Sequence, residues 1–402
     1  MLKTYANVLS HPGSALFSFT ALWSRLPLSM AGLGIVLLIN ERTGSFTQAG
    51  VLSAAYVLSA AAFGPWQGRL ADRFGQAPVL WVVGATYALG VAAFLLVVDA
   101  GWSAPWPQLC AVLAGLSTPQ TGSMVRARWS HAIHDRAELN TAFSIEAVID
   151  EVVFIVGPVL VTFLTFQVAD VSGLVFAGAA AMLGSWALAL QRGTAPPAGG
   201  QRASSGPTIN WPGLWPLVAV SVALGVIFGS AEVIIAAFTE EQGRKGAAGI
   251  VLAVWAAGSL VAGVAVGALP QAADPLRRVR ASILVLGVLF APMALLSSIP
   301  LLAIAMFLGG FMISPTLIAL VQLVERTVPP SRLTEALTWT TTGMAVGVAP
   351  GAAVVGAVID GHGASAGFLV PLAAGLMGAI VAWTAPAADT SGGMVTAPPQ
   401  SH

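Results

Sequence analysis

The chain has 402 residues, 56% of them hydrophobic and only 8% charged, with 17 acids balanced by 17 bases. A soluble globular protein carries about 25% charged residues, so this surface, with a mean hydropathy of +0.84, is wetted by lipid, and its zero net charge offers nucleic acid no attracting field. The single cysteine, Cys110, leaves no intrachain disulfide and no cysteine zinc site, and we expect no metal or cofactor.

A bilayer core about 30 Å thick needs about 20 apolar residues per helix. Polar and Pro/Gly breaks predict spans near 16–39, 46–66, 78–98, 105–127, 139–166 and 171–191, then near 212–238, 246–269, 280–298, 300–325, 333–359 and 364–385. The fold class expected is an all-α membrane protein of twelve transmembrane helices. The first twenty residues lack a charged n-region followed by a small-residue cleavage site, so the first run reads as a retained helix rather than a signal peptide. Residues 1–191 and 212–386 are expected as two six-helix bundles. A Pro/Gly/Ser-rich cytoplasmic linker over 192–211 joins them, and a disordered tail over 387–402 follows. With the N terminus inside, one side receives thirteen basic residues, among them Arg69, Arg73, Arg126, Arg128, Arg136, Arg277, Arg278 and Arg326. The other receives three, Arg42, Arg244 and Lys245. This bias places both termini in the cytoplasm. Arginine replaces lysine almost everywhere except Lys3 and Lys245, which suggests a GC-rich bacterial genome and hence an inner-membrane location.

The halves repeat each other. Gly50, Gly64, Gly68 and Leu70 align without gaps with Gly249, Gly263, Gly267 and Leu269, and Tyr56 meets Trp255. At a slightly different offset Leu139 and Ala142 match Leu333 and Ala336. Parallel six-helix repeats facing each other across a midplane site account for this pattern.

Between the second and third spans the chain reads Gly64-Pro65-Trp66-Gln67-Gly68-Arg69-Leu70-Ala71-Asp72-Arg73-Phe74-Gly75. Gly68 permits a close backbone approach and Gly75 a turn, while Asp72 suits a helix N terminus and Arg73 a carboxylate. The loop closely resembles the G-x-L-A-D-R-x-G signature of the major facilitator superfamily. The resemblance implies that fold, transport by alternating access, and a gate in which Asp72 caps the start of the eleventh span, Ser331 to Glu335, with Arg126 or Arg128 as second partner. Two departures stand out. Gln76 and Ala77 replace the basic residues usual after the second glycine, and the second-half loop Gly267-Ala268-Leu269-Pro270-Gln271-Ala272 has lost Asp and Arg.

Ionisable groups at membrane depth cost at least about 2.5–3.5 kcal/mol each and are functional candidates by default. The fifth span carries Glu146, Asp150 and Glu151, about 10 to 18 Å from its start at Leu139. Arg25 in the first span lies at a similar depth. Asp150 sits about 40° around the helix from Glu146 and Glu151 about 140°, so one acid is expected to pair with Arg25 and another to stay free to carry a proton. In the eleventh span Thr340, Met344 and Ala345 stand at the corresponding positions, so the acids belong to one half only. Proton coupling or cation recognition is one reading of this cluster, and a purely structural Arg–carboxylate cluster is the other. Glu232, two-thirds across the seventh span, is a second candidate from the opposite bundle. Gly157-Pro158 resembles the core of the antiporter motif of drug exporters in the same superfamily, although Val161-Thr162 replaces its trailing glycines and Ala111 stands where many of them carry an arginine.

His131 and His134 lack a third ligand partner and read as solvated, and no phosphate-binding loop is present. These features together predict a secondary transporter and not an enzyme: a monomer in the bilayer that moves a small molecule, with protons as the coupled partner, by efflux or alternatively by uptake of a metabolite.

Overall fold

The computed structural model describes residues 7–198, 211–268, 274–328 and 333–384, so most of the expected linker and the expected tail fall outside the described residues. The regular structure among them is helical. The first expected span is two helices, α1 (Ser14–Arg25) and α2 (Pro27–Thr43), which meet at Leu26. Pro27 has no N–H to donate back into α1, so it serves as the first residue of a new helix. Next come α3 (Phe46–Phe74) and α4 (Gln76–Asp99), the broken pair α5 (Trp106–Leu116) and α6 (Thr121–Ala132), then α7 (Arg136–Gln167) and α8 (Ser172–Leu190). The second bundle holds α9 (Trp211–Glu241), α10 (Ala248–Ala268), α11 (Pro275–Met293), the pair α12 (Ile299–Gly310) and α13 (Ile313–Thr327), and α14 (Leu333–His362). It ends with the short α15 (Ala364–Gly367) and α16 (Leu369–Thr384).

Among the described residues, ten stretches are long and apolar enough to cross a membrane. The other two expected spans are helical but differ in kind. One is broken between α5 and α6, and α11 carries Arg277, Arg278 and Arg280 in its first turns. The break at Ser117–Gln120 contains Pro119 and leaves backbone groups unpaired, which a lipid environment tolerates only if protein satisfies them. Gln67 of α3, 1% exposed, does so. Its Nε2 donates to the Leu116 and Thr118 carbonyls at 3.2 and 2.9 Å, and its Oε1 accepts from the Gln120 amide at 3.2 Å.

The repeat read from sequence reappears as paired contacts. A side chain on Gly50 of α3 would strike the Ala352 carbonyl of α14, and one on Gly249 of α10 would strike the Pro158 carbonyl of α7. Gly50 and Gly249 are repeat partners, and so, at the second offset, are Ala352 and Pro158. Gly157 packs on Ser29 of α2 just as its counterpart Gly351 packs on Val226 of α9. Gly115 meets the Tyr56 carbonyl, and Gly310 meets that of Trp255. Along the α9–α14 seam, Gly225, Gly229, Gly347 and Gly351 each face a carbonyl of the other helix. Between membrane helices, where water provides no hydrophobic drive, such small residues let backbones pack closely.

Candidate functional site

Arg25 ends α1 and is 0% exposed. Its Nη2 donates to Glu146 Oε2 at 2.6 Å and its Nη1 to Asp150 Oδ1 at 3.1 Å, both carboxylates coming from α7. Asp150 Oδ2 accepts in turn from Arg126 Nη2 of α6 at 2.8 Å. Glu146 is also 0% exposed, and its second oxygen accepts from Ser18 Oγ at 2.6 Å and Trp129 Nε1 at 2.8 Å. The two acids therefore occupy different surroundings. Glu146 is enclosed by three donors, as a buried carboxylate must be, whereas the Asp150 side chain is 31% exposed and shared by two guanidinium groups. Glu151 is half-buried and makes no hydrogen bond or ion pair with a described residue. The Arg25 Nε, although buried, has no hydrogen-bond partner among the described residues.

Arg128 is fully buried for a different purpose. Its Nε donates to Gln76 Oε1 at 2.8 Å, and its two Nη atoms reach Thr194 Oγ1 and the Gln191 and Leu188 carbonyls at 2.7 to 3.0 Å. It thus closes the carbonyl end of α8. The expected pairing of Arg126 or Arg128 with Asp72 is not made in this conformation, because Arg126 is taken by Asp150 and Arg128 by Gln76, Thr194 and the end of α8. Asp72 is exposed, and Arg73 lies over the Phe74 ring at 5.1 Å. Gly75 turns the chain with φ +87°, while Gly68, expected to allow a close approach, has nothing within 4 Å of where a Cβ would stand. The expected cap at Ser331 lies outside the described residues, as do the side chains of Leu333 to Glu335.

The bundles are latched at the opposite end, the one carrying Arg42. Asp360, in the last turn of α14, sits against the N terminus of α3. Its oxygens accept from the Phe46 and Thr47 amides at 2.9 Å each and from Ser45 Oγ at 2.8 Å. Free N–H groups and the positive helix end make this a natural carboxylate position. Gly356, one turn earlier, lets α14 rest on the Phe46 carbonyl. Lys245 Nζ bridges Glu41 of the first bundle at 2.7 Å and Glu240 of the second at 3.2 Å, and Asn40 Nδ2 donates to Glu240. Sequence reading missed this latch. Its only signals were an acid at the end of a span and the sequence Ser45-Phe46-Thr47-Gln48 at a helix start, where Ser45 caps the Gln48 amide at 3.2 Å.

Glu232 lies apart from both clusters. It faces the first bundle from α9, with its Oε2 2.9 Å from where a Cβ on Gly32 of α2 would stand.

A family model described as Major Facilitator Superfamily matches residues 15–299. No curated protein matches the chain. Among solved structures, a mutant of the nucleoside transporter NupG superposes with a TM-score of 0.74 at 14% identity, covering 92% of this chain and 99% of that one. A mutant of the peptide transporter POT gives 0.70 at 15% identity over 93% and 94%. The human organic anion transporter MFSD10 (TETRAN) gives 0.61 at 17% identity over 94% and 99%. At such identities the likeness is one of fold. With the family model spanning well over half of the sequence and many apolar helices present, the chain belongs to the Major Facilitator Superfamily, a multi-pass membrane protein that carries a small molecule by secondary transport and is not an enzyme.

Proposed function

We propose that the protein is a proton-coupled exporter, with twelve crossings, both termini and the signature loop in the cytoplasm, and the Arg42 end outside. The observation that carries this reading is the charge balance around Arg25. Arg25 and Arg126 supply two positive charges, and Glu146 and Asp150 match them with two negative ones. Glu151, next in the chain and without a partner among the described residues, is the carboxylate left over. A proton on Glu151 makes the cluster neutral, and its loss leaves a net negative charge at membrane depth, where charge is costly. Coupling then follows if bundle movement alters the exposure of α7. The signature loop takes the part of the inner gate, open in this state, and the Asp360 latch that of the outer one.

The test uses reconstituted Glu151→Gln and Asp150→Asn protein with an imposed pH gradient. Glu151→Gln should abolish gradient-driven accumulation while exchange at equal pH persists, since exchange needs only alternating access. Accumulation surviving in both variants would remove these acids from coupling. Direction is read separately, as resistance gained on overexpression across a compound panel.

A further inference from the structure

Glu232 stands without a counter-charge among the described residues, at the interface between the two bundles. It lies nine residues before the end of α9 and is half-buried, and it forms no hydrogen bond or ion pair with a described residue. The cations nearest in kind are committed elsewhere. Arg25 is held by Glu146 and Asp150, Lys245 by Glu41 and Glu240, and Arg42 by Asp170 and Asp99. The carboxylate points across the bundle interface toward α2, into room that Gly32 leaves by having no side chain. The hydroxyl of Ser53 on α3 stands 3.6 Å from that same point. An ionised carboxylate left alone in a low-dielectric interface is costly, so its charge calls for a cation that the described residues do not provide.

The surroundings say what kind of cation. Phe228 lies four residues before Glu232, on the same face of α9, and it is half-buried. Its ring meets that of Trp255 on α10, with centroids 5.5 Å apart and planes inclined at 57°. Trp255 is 6% exposed and its Nε1 has no hydrogen-bond partner among the described residues, so no polar contact there explains why an indole is placed at this point. Aromatic faces attract cations most when both are desolvated. A carboxylate one turn from Phe228, whose ring in turn meets that of Trp255, and close to a hydroxyl and a glycine, suits an apolar body that bears a positive charge. Helices of both bundles contribute, so a ligand seated here must be released or recaptured when the bundles move.

We propose that Glu232, with Phe228, Trp255 and Ser53, binds a lipophilic organic cation, and that such cations are the substrate class; this rests on the transport reading above. The site is tested by equilibrium binding of radiolabelled tetraphenylphosphonium to purified protein in detergent, with uncharged triphenylphosphine oxide as competitor. Wild-type protein should bind the cation saturably, and the neutral compound should compete at least about tenfold less well, the ratio that 1.4 kcal/mol of charge recognition gives. The near-isosteric Glu232→Gln should weaken binding by a similar factor or more, Phe228→Ala by roughly two- to thirtyfold, and Glu232→Asp by less than Glu232→Gln. Size-exclusion profiles identify any variant that has not folded, and Glu232→Asp with Phe228→Ala carries the test if Glu232→Gln fails there. Absence of saturable binding to the wild type overturns the proposal. So does equal competition by the neutral compound, or undiminished binding by Glu232→Gln, which would mark a group that carries only a proton. No gradient enters this measurement. Binding without pH-driven transport would therefore refute proton coupling and leave the site, whereas coupling without binding would refute the site alone.

Discussion

Removing the Asp360 carboxylate should release the latched end of the molecule. Asp360 accepts two backbone amides and one hydroxyl from the start of α3, at 2.8 to 2.9 Å, and these bonds join the two bundles. Asp360→Asn keeps one carbonyl oxygen, loses at least one acceptor and loses the charge facing the helix N terminus. A charge at a surface helix end contributes about 0.3–1 kcal/mol, and a lost hydrogen bond adds about 0.5–1.5 kcal/mol. The combined loss of roughly 1–2 kcal/mol raises the ratio of open to closed forms at this end by about 5- to 30-fold. The Lys245 bridge to Glu41 remains and sets the floor. Spin labels on cysteines replacing Thr43 and Gly361, both exposed and on opposite bundles, report the separation in a Cys110→Ser background. The longer-distance population should grow in Asp360→Asn and further in Asp360→Ala. Unchanged distance distributions in both variants would refute the latch.

The other expectations concern stability, packing and topology. Glu146→Gln sets an amide against Arg25 in a site with no exposure and should cost about 3–5 kcal/mol, seen as a lower melting temperature of purified protein. Asp150→Asn should cost less because its side chain reaches solvent, and a reversed order would contradict the division of roles between the acids. Gly347→Leu drives a side chain into the Val222 carbonyl and should prevent recovery of monodisperse protein, whereas Gly68→Leu, with open space around it, should not. Asp72→Asn should slow transport while membrane level and substrate binding stay near wild type, because it shifts a conformational balance rather than removing a ligand. Normal transport rates would show the loop to be passive. Reporter fusions near Arg73 and Arg278 should report the cytoplasm and those near Arg42 and Asp170 the exterior, and one fusion on the wrong side breaks the twelve-crossing topology.

Composition and periodicity were enough to read the membrane setting, the order of the helices and the duplicated halves, because these depend on residues near one another in the chain. The Gly50/Gly249 alignment was read only as a repeat, and the structure shows both glycines at close helix crossings, where a small residue is needed whatever its partner. Helix geometry also put Glu146 and Asp150 within about 40° of each other, but only one acid was expected on Arg25, and its guanidinium takes both. Tertiary structure decided what each group faces. No spacing along α7 tells that Ser18 and Trp129 enclose Glu146 while Asp150 is left to Arg126. Nor does the local sequence show that Gln67 repairs a break fifty residues further on, or that Asp360 caps a helix more than three hundred residues before it. Those pairings are set by how each helix is rotated in its bundle and by which end of the molecule is closed. A linear sequence specifies neither until the helices have packed.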